Sequence, residues 1–396
     1  MTDNDKLTGI RIVYMSTVPY TIWSLTRGQL AHFRRLGMEI TAVSSPGELL
    51  EETAKREGVK TWSVPMERSK PSPIRDLSSF IKLWRFFRKA RPHIVNSGTP
   101  KATLLAMTAG FLAGVPVRIY TMRSSHLINH TGFMAFALKI ADAITCAFST
   151  KVICVSPSLM EFVAGQGYCG KDKLTWLANG SSNGIDTERF DPDRVDKQAG
   201  IDFRRKYGIP QNSTIIGFVG RITPEKGVDE LLHAWDSIKS GREDLMLLMV
   251  GDHDLGAPVS ETTRQKIESD PRIVLTGTLD DVVPAYAAMD LVVLPTHREG
   301  FGNVLMEANA MRLPAVGTRI PGCRDAIEDG VTGMLVPRRD PASLAEAILE
   351  LVKNPERRLK MGQAGRERVL AKFTNEIVWN ALEDIYRNLV SQKIRR

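Results

Sequence analysis

The sequence predicts an α/β protein of two doubly wound domains, each with a mostly parallel sheet covered by helices on both faces. Three observations lead to this prediction. The chain has 396 residues, which is too long for one ordinary hydrophobic core. Short apolar runs alternate with stretches of helical length over most of the chain. A segment rich in Asp, Pro and Gly, 183–211, interrupts this alternation and is typical of a linker.

In the first half, apolar runs of four or five residues predict buried parallel strands. These predicted strands are 10–14, 40–43, 61–64, 93–96, 117–120 and 152–155. The helices expected between them include 25–36, 73–91, 101–112 and 157–164. We therefore expect a first, Rossmann-like domain over 1–205.

The same alternation resumes after the linker and predicts a second domain over 206–374. Its expected strands are 215–219, 245–250, 273–275, 291–294 and 315–317. Its expected helices are 228–240, 282–288, 304–311 and 341–352. A final helix, 375–396, is long enough at ~1.5 Å per residue to reach back to the first domain. Ligands of such sheets bind beyond the carboxyl ends of the strands, so we expect an interdomain cleft.

Composition narrows the class of protein. No apolar run approaches the ~20 residues of a membrane-spanning helix, and the polar, acidic amino terminus is unlike a signal peptide, so we expect a cytoplasmic protein. The net charge of +8 favours acidic partners such as nucleotides, nucleic acid or an anionic membrane surface, and among these partners we do not expect nucleic acid. The four cysteines lack zinc-binding spacing, so reduced thiols are expected and no metal site is predicted.

Two glutamates, Glu299 and Glu307, bracket a glycine-containing turn that follows the predicted strand 291–294 and opens a helix. Backbone NH groups near Gly302 and Val304 would lie at the positive end of the helix dipole, where a phosphate binds well. The two carboxylates could accept hydrogen bonds from the hydroxyl groups of a sugar or a ribose. Taken alone, this spacing also fits a chance arrangement of surface residues.

A second glycine-containing turn, with Gly220, Arg221 and Lys226, follows the predicted strand 215–219. Both cations are expected at the sheet edge that carries Glu299. Two fixed cations beside a helix N-terminus could neutralise a leaving diphosphate without a metal ion. Each turn alone fits a solvated loop, whereas the combination of the two favours a binding site.

These paired motifs resemble the donor site of the retaining GT-B glycosyltransferases of family 4, also called group 1. The likeness extends through three further segments of the second half and the linker: Pro314-Ala315-Val316-Gly317, Asp329-Gly330-Val331-Thr332-Gly333 and Asn183-Gly184-Ile185-Asp186. In the first half, Ser44-Ser45-Pro46-Gly47 and Thr99-Pro100-Lys101-Ala102 are similar to a branch that builds bacterial surface polysaccharides on lipid carriers.

The resemblance implies a role for each candidate residue. Arg221 and Lys226 would hold the diphosphate of a nucleotide sugar, such as a UDP-sugar, and would act in catalysis with Glu299, which would bind the donor sugar. Glu307 would accept from the ribose hydroxyls. The remaining donor-binding positions would be Gly220, Gly300, Phe301, Gly302, Asn303 and Val304. The implied reaction retains the anomeric configuration, uses no cofactor or metal, and transfers the sugar to a lipid-linked or saccharide acceptor.

One position departs from the family pattern. After the strand 117–120, Arg123 stands where the branch usually has a histidine that faces the donor sugar. Arg123 could bind a donor phosphate or an anionic acceptor, or His126 could substitute through a loop shift. Thr99 and Lys101 are further candidates for acceptor or donor-sugar contacts.

Two other functions stay open at this point. A nucleotide-sugar isomerase of the 2-epimerase kind has a similar architecture, and a sugar-nucleotide binding protein would need no catalytic groups. Asp252-His253-Asp254 resembles a metal-binding D-x-D sequence, but a solvated loop is the better interpretation.

Membrane contact is a further hypothesis, because the helix 73–91 has a predicted core face and an aromatic residue outside it. The predicted core face consists of Leu77, Phe80, Ile81, Trp84 and Phe87. Phe86 falls on the opposite side beside Lys82 and Lys89, as in helices that insert at a membrane interface.

Overall fold

Two parallel sheets organise the computed structural model, which describes residues 7–67, 72–125, 127 and 132–394. The chain divides into two compact units. The first combines 1–184 with 375–396, and the second is 185–374. The α/β fold class with two Rossmann-like sheets is confirmed.

The first sheet has seven parallel strands in the order β3-β2-β1-β4-β5-β6-β7. They are β1 (Arg11–Met15), β2 (Glu39–Ser44), β3 (Lys60–Ser63), β4 (Ile94–Ser97), β5 (Val117–Met122), β6 (Lys151–Cys154) and β7 (Leu174–Trp176). The helices of this part are α1 (Pro19–Leu25), α2 (Gln29–Arg35), α3 (Glu48–Glu57), α4 (Pro73–Ala90), α5 (Pro100–Leu112), α6 (Gly132–Phe148) and α7 (Pro157–Gln166). Both faces of the sheet are buried, as the continuous apolar runs of the central strands require.

The second sheet has six parallel strands in the order β10-β9-β8-β11-β12-β13. They are β8 (Thr214–Val219), β9 (Leu245–Val250), β10 (Ile273–Leu275), β11 (Leu291–Leu294), β12 (Ala315–Thr318) and β13 (Gly333–Val336). The helices are α8 (Lys197–Lys206), α9 (Val228–Lys239), α10 (Glu261–Ser269), α11 (Val283–Ala288), α12 (Asn303–Ala310), α13 (Cys323–Ala326), α14 (Pro341–Lys353) and α15 (Pro355–Lys372), followed by the final helix α16 (Asn375–Lys393).

The division between the units lies at 184/185, about 20 residues before the predicted boundary at 205/206. The predicted linker contains α8, whose Arg204 donates to the carbonyl of Ala288 at 2.7 Å and so ties this helix to the second unit. The amide of Ile185 likewise donates to the carbonyl of Phe373 at 2.8 Å. Asp, Pro and Gly indicated turns correctly, but they did not show to which unit the segment between those turns belongs.

Helix α16 belongs to the first unit. Its apolar residues Val378 and Leu382 are buried in the same core as Ile12 and Phe33. The hydroxyl of Tyr386 lies 2.8 Å from that of Tyr14 on β1. The first unit is therefore assembled from both ends of the chain.

The predicted core face of α4 is right at Phe87, which is buried, but wrong at two other positions. Leu77 is 59% exposed and Ile81 is 37% exposed. Phe86, expected to be exposed among cations, stacks on Trp62 of β3 with ring centroids 4.3 Å apart. The indole of β3 covers the Phe86 side of the helix, which periodicity within α4 alone could not reveal.

Candidate active site

The candidate site of the second unit lies where its sheet changes winding direction. Strands β8 and β11 are neighbours, although β9 and β10 extend the sheet to one side and β12 and β13 to the other. The loops after β8 and β11 therefore diverge at the carboxyl edge, which is where doubly wound sheets bind ligands. These loops carry Arg221, Lys226 and Glu299.

Glu225 joins the two loops. Its carbonyl accepts hydrogen bonds from the amide of His297 at 2.8 Å and from the hydroxyl of Thr296 at 3.2 Å. Its carboxylate pairs with the guanidinium of Arg298 at 2.8 Å. Since Glu225 precedes Lys226 and Arg298 precedes Glu299, these bonds fix the spacing of the two candidate residues. No pattern in the sequence indicated this role of Glu225.

Two glycines allow the backbone segments of the site to approach closely. Gly227 has φ of 72°, and a Cβ there would lie 2.0 Å from the carbonyl oxygen of Pro295. Gly322 has φ of 87°, and a Cβ there would lie 2.6 Å from the carbonyl oxygen of Gly300. Any other residue would both strain the backbone and push the loops apart.

Lys226 and Glu299 form an ion pair. The ammonium group donates to Oε2 of Glu299 at 2.6 Å, and the amide of Gly300 donates to Oε1 at 3.2 Å. Both side chains are about four-fifths buried, with 19% and 22% exposed. Each oxygen of the Glu299 carboxylate thus accepts one hydrogen bond, which fixes its orientation. The ion pair lies at the sheet edge and has limited access to water.

Arg221 pairs with Asp254 in the loop after β9. The guanidinium side chain is 45% exposed, whereas Asp254 is only 19% exposed. Asp252, two residues before Asp254, accepts a hydrogen bond from the amide of Thr278 at 3.0 Å. The segment 252–254, expected to be a solvated loop, is therefore held by hydrogen bonds and positions one of the candidate cations.

Helix α12 begins beside this pair. Gly302 is its N-cap, with φ of 73°, and no side chain caps the helix there. The amide groups of Asn303 and Val304 belong to the first turn, so they lie at the positive end of the helix dipole. The side chain of Phe301 is buried at 3% exposure and packs on Phe373, so at this predicted donor-binding position the backbone is the part available to a donor.

Glu307 lies in the second turn of α12, where the hydroxyl of Tyr286 donates to Oε2 at 2.9 Å. Burial raises the pKa of Glu307 to about 7, and this effect exceeds the opposite effects of Tyr286 and of the charge of Arg189. Burial also raises the pKa of Tyr286, so its hydroxyl stays protonated and remains a donor. Tyr286 resembled an ordinary core aromatic of α11, and no sequence signal linked it to Glu307.

The first unit has a comparable carboxyl edge of its own. At the β1/β4 switch, Oγ1 of Thr99 accepts from the amide of Thr17 at 2.8 Å. Lys101, in the first turn of α5, pairs with Asp76 at 3.1 Å. Arg123 follows β5 directly. His126 lies outside the described residues.

Cations, oriented carboxylates and helix amides share one sheet edge in the second unit. This set can bind a diphosphate together with hydroxyl groups. No group of three His, Cys, Asp or Glu side chains that could hold a metal ion occurs within 7–67, 72–125 and 132–394. Within the same ranges, no helix combines the length and the apolar character needed to span a bilayer.

Comparison with known proteins gives consistent results. The sequence model described as "Glycosyl transferases group 1" matches 213–354, and that described as "Glycosyl transferase 4-like domain" matches 21–180. The capsular polysaccharide biosynthesis glycosyltransferase CapM of Staphylococcus aureus is 34% identical over 96% of this chain and 98% of its own length. An Escherichia coli UDP-Gal:α-D-GlcNAc-diphosphoundecaprenol α-1,3-galactosyltransferase is 24% identical over 85% of this chain and 86% of its own.

Solved structures show the same fold. Anabaena Alr3699/HepE, crystallised with UDP and glucose, aligns with a TM-score of 0.80 at 16% identity, covering 96% of this chain and all of its own. WaaG, a glycosyltransferase involved in lipopolysaccharide biosynthesis, aligns with a TM-score of 0.72 at 16% identity over 94% of this chain and 99% of its own.

Proposed function

Because this chain belongs to the group 1 glycosyltransferases, we propose that it transfers a sugar from a nucleotide-diphosphate sugar to a lipid-linked or saccharide acceptor with retention of anomeric configuration. The observation that carries the proposal is the Lys226–Glu299 pair, 2.6 Å apart, beside the N-terminus of α12. The capsular polysaccharide relative supports a place in surface polysaccharide biosynthesis. UDP is the proposed nucleotide, since the Anabaena structure binds UDP.

In this proposal the diphosphate of the donor lies between the cations and α12. Lys226 has three NH donors and gives one to Glu299, so it can donate to a phosphate as well. Arg221 is exposed enough to bind a second phosphate oxygen, and the first-turn amides of α12 bind the distal phosphate. These groups stabilise the charge that develops on the leaving diphosphate, so no metal ion or other cofactor is required.

The two carboxylates bind hydroxyl groups. Glu307 accepts from the ribose, and Glu299 accepts from the donor sugar. Glu299 is already engaged by Lys226 and Gly300, which suits a fixed hydrogen-bond acceptor better than a nucleophile. We therefore assign retention to attack on the face from which the diphosphate departs.

The isomerase alternative is not favoured, because it would need acid and base residues at the sugar ring and both family matches are to transferases. Labelled donor distinguishes the two functions. A transferase releases UDP as it consumes the sugar, whereas an isomerase would produce an epimeric nucleotide sugar without releasing nucleotide.

We also propose that the protein works at an anionic membrane surface. Helix α6 exposes apolar side chains along one face, and we call this face the α6 stripe. It consists of Phe133, Phe136, Ile140 and Ile144, which are 83%, 61%, 44% and 41% exposed. Helix α4, on the other side of α5, exposes the cations Lys82, Arg85, Arg88 and Lys89. Exposed aromatic side chains close to a basic helix are typical of interfacial membrane binding.

The Glu299→Gln variant tests the proposed reaction. Loss of a charged hydrogen-bond acceptor for the sugar is expected to lower kcat by ~10–100-fold, while UDP affinity changes little. Glu346→Gln, at an exposed position of α14, is the matched control. The readouts are UDP release from labelled UDP-sugars and UDP titration by calorimetry. Unchanged turnover in Glu299→Gln would contradict the assigned role.

A further inference from the structure

Arg123 is a cation without a counterion in the described part of the chain. Its Nε is shielded from solvent and has no hydrogen-bond partner. The ion pairs found there include none with Arg123, and the residue is largely buried but keeps some exposure to solvent. Removing a guanidinium from water without a paired anion is costly, so this arrangement needs a compensating interaction.

Neighbouring residues fix the position of the Arg123 guanidinium. A Cβ on Gly98 would lie 1.7 Å from Nη1 of Arg123, so the guanidinium rests directly on the glycine backbone. Gly98 follows β4 and Arg123 follows β5, and these strands are neighbours. The guanidinium is therefore fixed at the carboxyl edge of the first sheet, where doubly wound sheets bind ligands.

Behind Arg123 lies a hydrogen-bonded network that carries no negative charge. The hydroxyl of Tyr386 lies 2.8 Å from that of Tyr14 and accepts from the amide group of Asn96 at 2.8 Å. The hydroxyl of Thr121 donates to the other end of Asn96 at 2.7 Å. Burial raises the pKa of both tyrosines, so they stay neutral and cannot act as counterions.

Arg123 itself stays charged. Burial lowers its pKa to about 10, which still leaves the guanidinium cationic near neutral pH. A planar, partly exposed cation that lies against the backbone of Gly98 matches the two oxygens of a carboxylate or phosphate.

We propose that Arg123 is the receptor for an oxyanion of the substrate at the carboxyl edge of the first sheet. Resting on the proposed function, the inference is that the acceptor carries a phosphate or a carboxylate. The other source of the same chemistry is the diphosphate of the donor. Gly98 acts as a positioning residue, because it admits the guanidinium, and the neutral network leaves the charge of Arg123 available for the ligand.

The test uses the full-length protein and two probes, inorganic phosphate against chloride at equal ionic strength, and UDP. Arg123→Gln removes the charge, Gly98→Ala displaces the guanidinium, and Arg35→Gln at an exposed position of α2 is a control of equal net charge. The measurements are thermal unfolding and titration calorimetry. Neither requires transfer activity, so failure here is distinguishable from failure of the proposed reaction.

We expect phosphate to stabilise the parent and Arg35→Gln. For Arg123→Gln and Gly98→Ala we expect the affinity for phosphate to fall by at least ~10-fold. Without ligand, Arg123→Gln should unfold at a higher temperature than the parent, because an uncompensated charge is removed. UDP affinity that stays unchanged assigns the oxyanion to the acceptor, and a tenfold loss assigns it to the donor. The proposal would be overturned if Arg123→Gln bound phosphate and UDP with the same affinities as the parent. It would also be overturned if that variant, without ligand, unfolded at a lower temperature than the parent.

Discussion

At the scale of single residues, Glu299 and Glu307 differ in the groups that surround them. Glu299 is bound by a cation and an amide, whereas Glu307 is bound by a neutral hydroxyl. The motif predicted both positions from their spacing after a strand. It could not predict Glu225, Tyr286 or Asp254, because each of these partners comes from another segment of the chain.

This difference leads to a prediction of pH dependence. The pKa of Glu307 is raised from 4.5 to about 7, so the folded state holds a proton that the unfolded state has released between these two values. The contribution of Glu307 to stability therefore falls as pH rises from 4.5 to 7 and stays unfavourable above pH 7. Glu307→Gln removes this cost and keeps an acceptor for Tyr286. We expect it to unfold at higher temperature than the parent at pH 8, and to show little gain at pH 5.

The affinity for nucleotide should depend on pH in the opposite sense to stability. The charged carboxylate is the better acceptor for ribose hydroxyls, so UDP affinity of the parent should weaken as pH falls from 8 to 6. Glu307→Gln should bind UDP less tightly and lose most of this dependence. Calorimetric titration at both pH values measures it, with Glu346→Gln as the control. A pH profile shared by parent and Glu307→Gln would rule out Glu307 as its source.

At the scale of elements, the strands were predicted best. Every strand expected from an apolar run is present, because burial on both faces makes such runs continuous. Several elements were not predicted, including α8 inside the supposed linker and the apolar helix α6. The predicted core face of α4 was wrong at Leu77 and Ile81, and Trp62 of β3 covers the Phe86 side of that helix.

The α6 stripe gives a prediction at this scale. Phe133→Ser combined with Phe136→Ser should reduce flotation with vesicles containing phosphatidylglycerol by at least ~10-fold, because each buried phenyl ring contributes ~1.5–3 kcal/mol. Leu359→Ser, at a position of α15 that is 73% exposed, controls for the loss of an exposed apolar side chain. Vesicles of phosphatidylcholine alone show the contribution of charge. If the double variant floats as well as the parent does, α6 is not the membrane contact.

At the scale of the whole molecule, the GT-B fold joins two Rossmann-like units in one chain, and α16 belongs to the first of them. Leu382 is 2% exposed in the core of that unit. Leu382→Ala should therefore cost ~2–5 kcal/mol in the first unit only. Calorimetric melts with and without UDP identify the second unit by its stabilisation. Leu359→Ala is the control, and an equal loss in the UDP-sensitive transition would show that the units do not unfold separately.

Local periodicity was enough to predict the alternation of strands and helices. Residues close together in the chain were enough to predict the glycine turns and to place Arg221, Lys226, Glu299 and Glu307 after their strands. The boundary at 184/185, the covered side of α4 and the partners of each charged group became evident from the folded chain. These depend on contacts between distant segments. Arg123 illustrates the difference: its position after a strand was evident, whereas its lack of a counterion and its seat on Gly98 follow from packing alone.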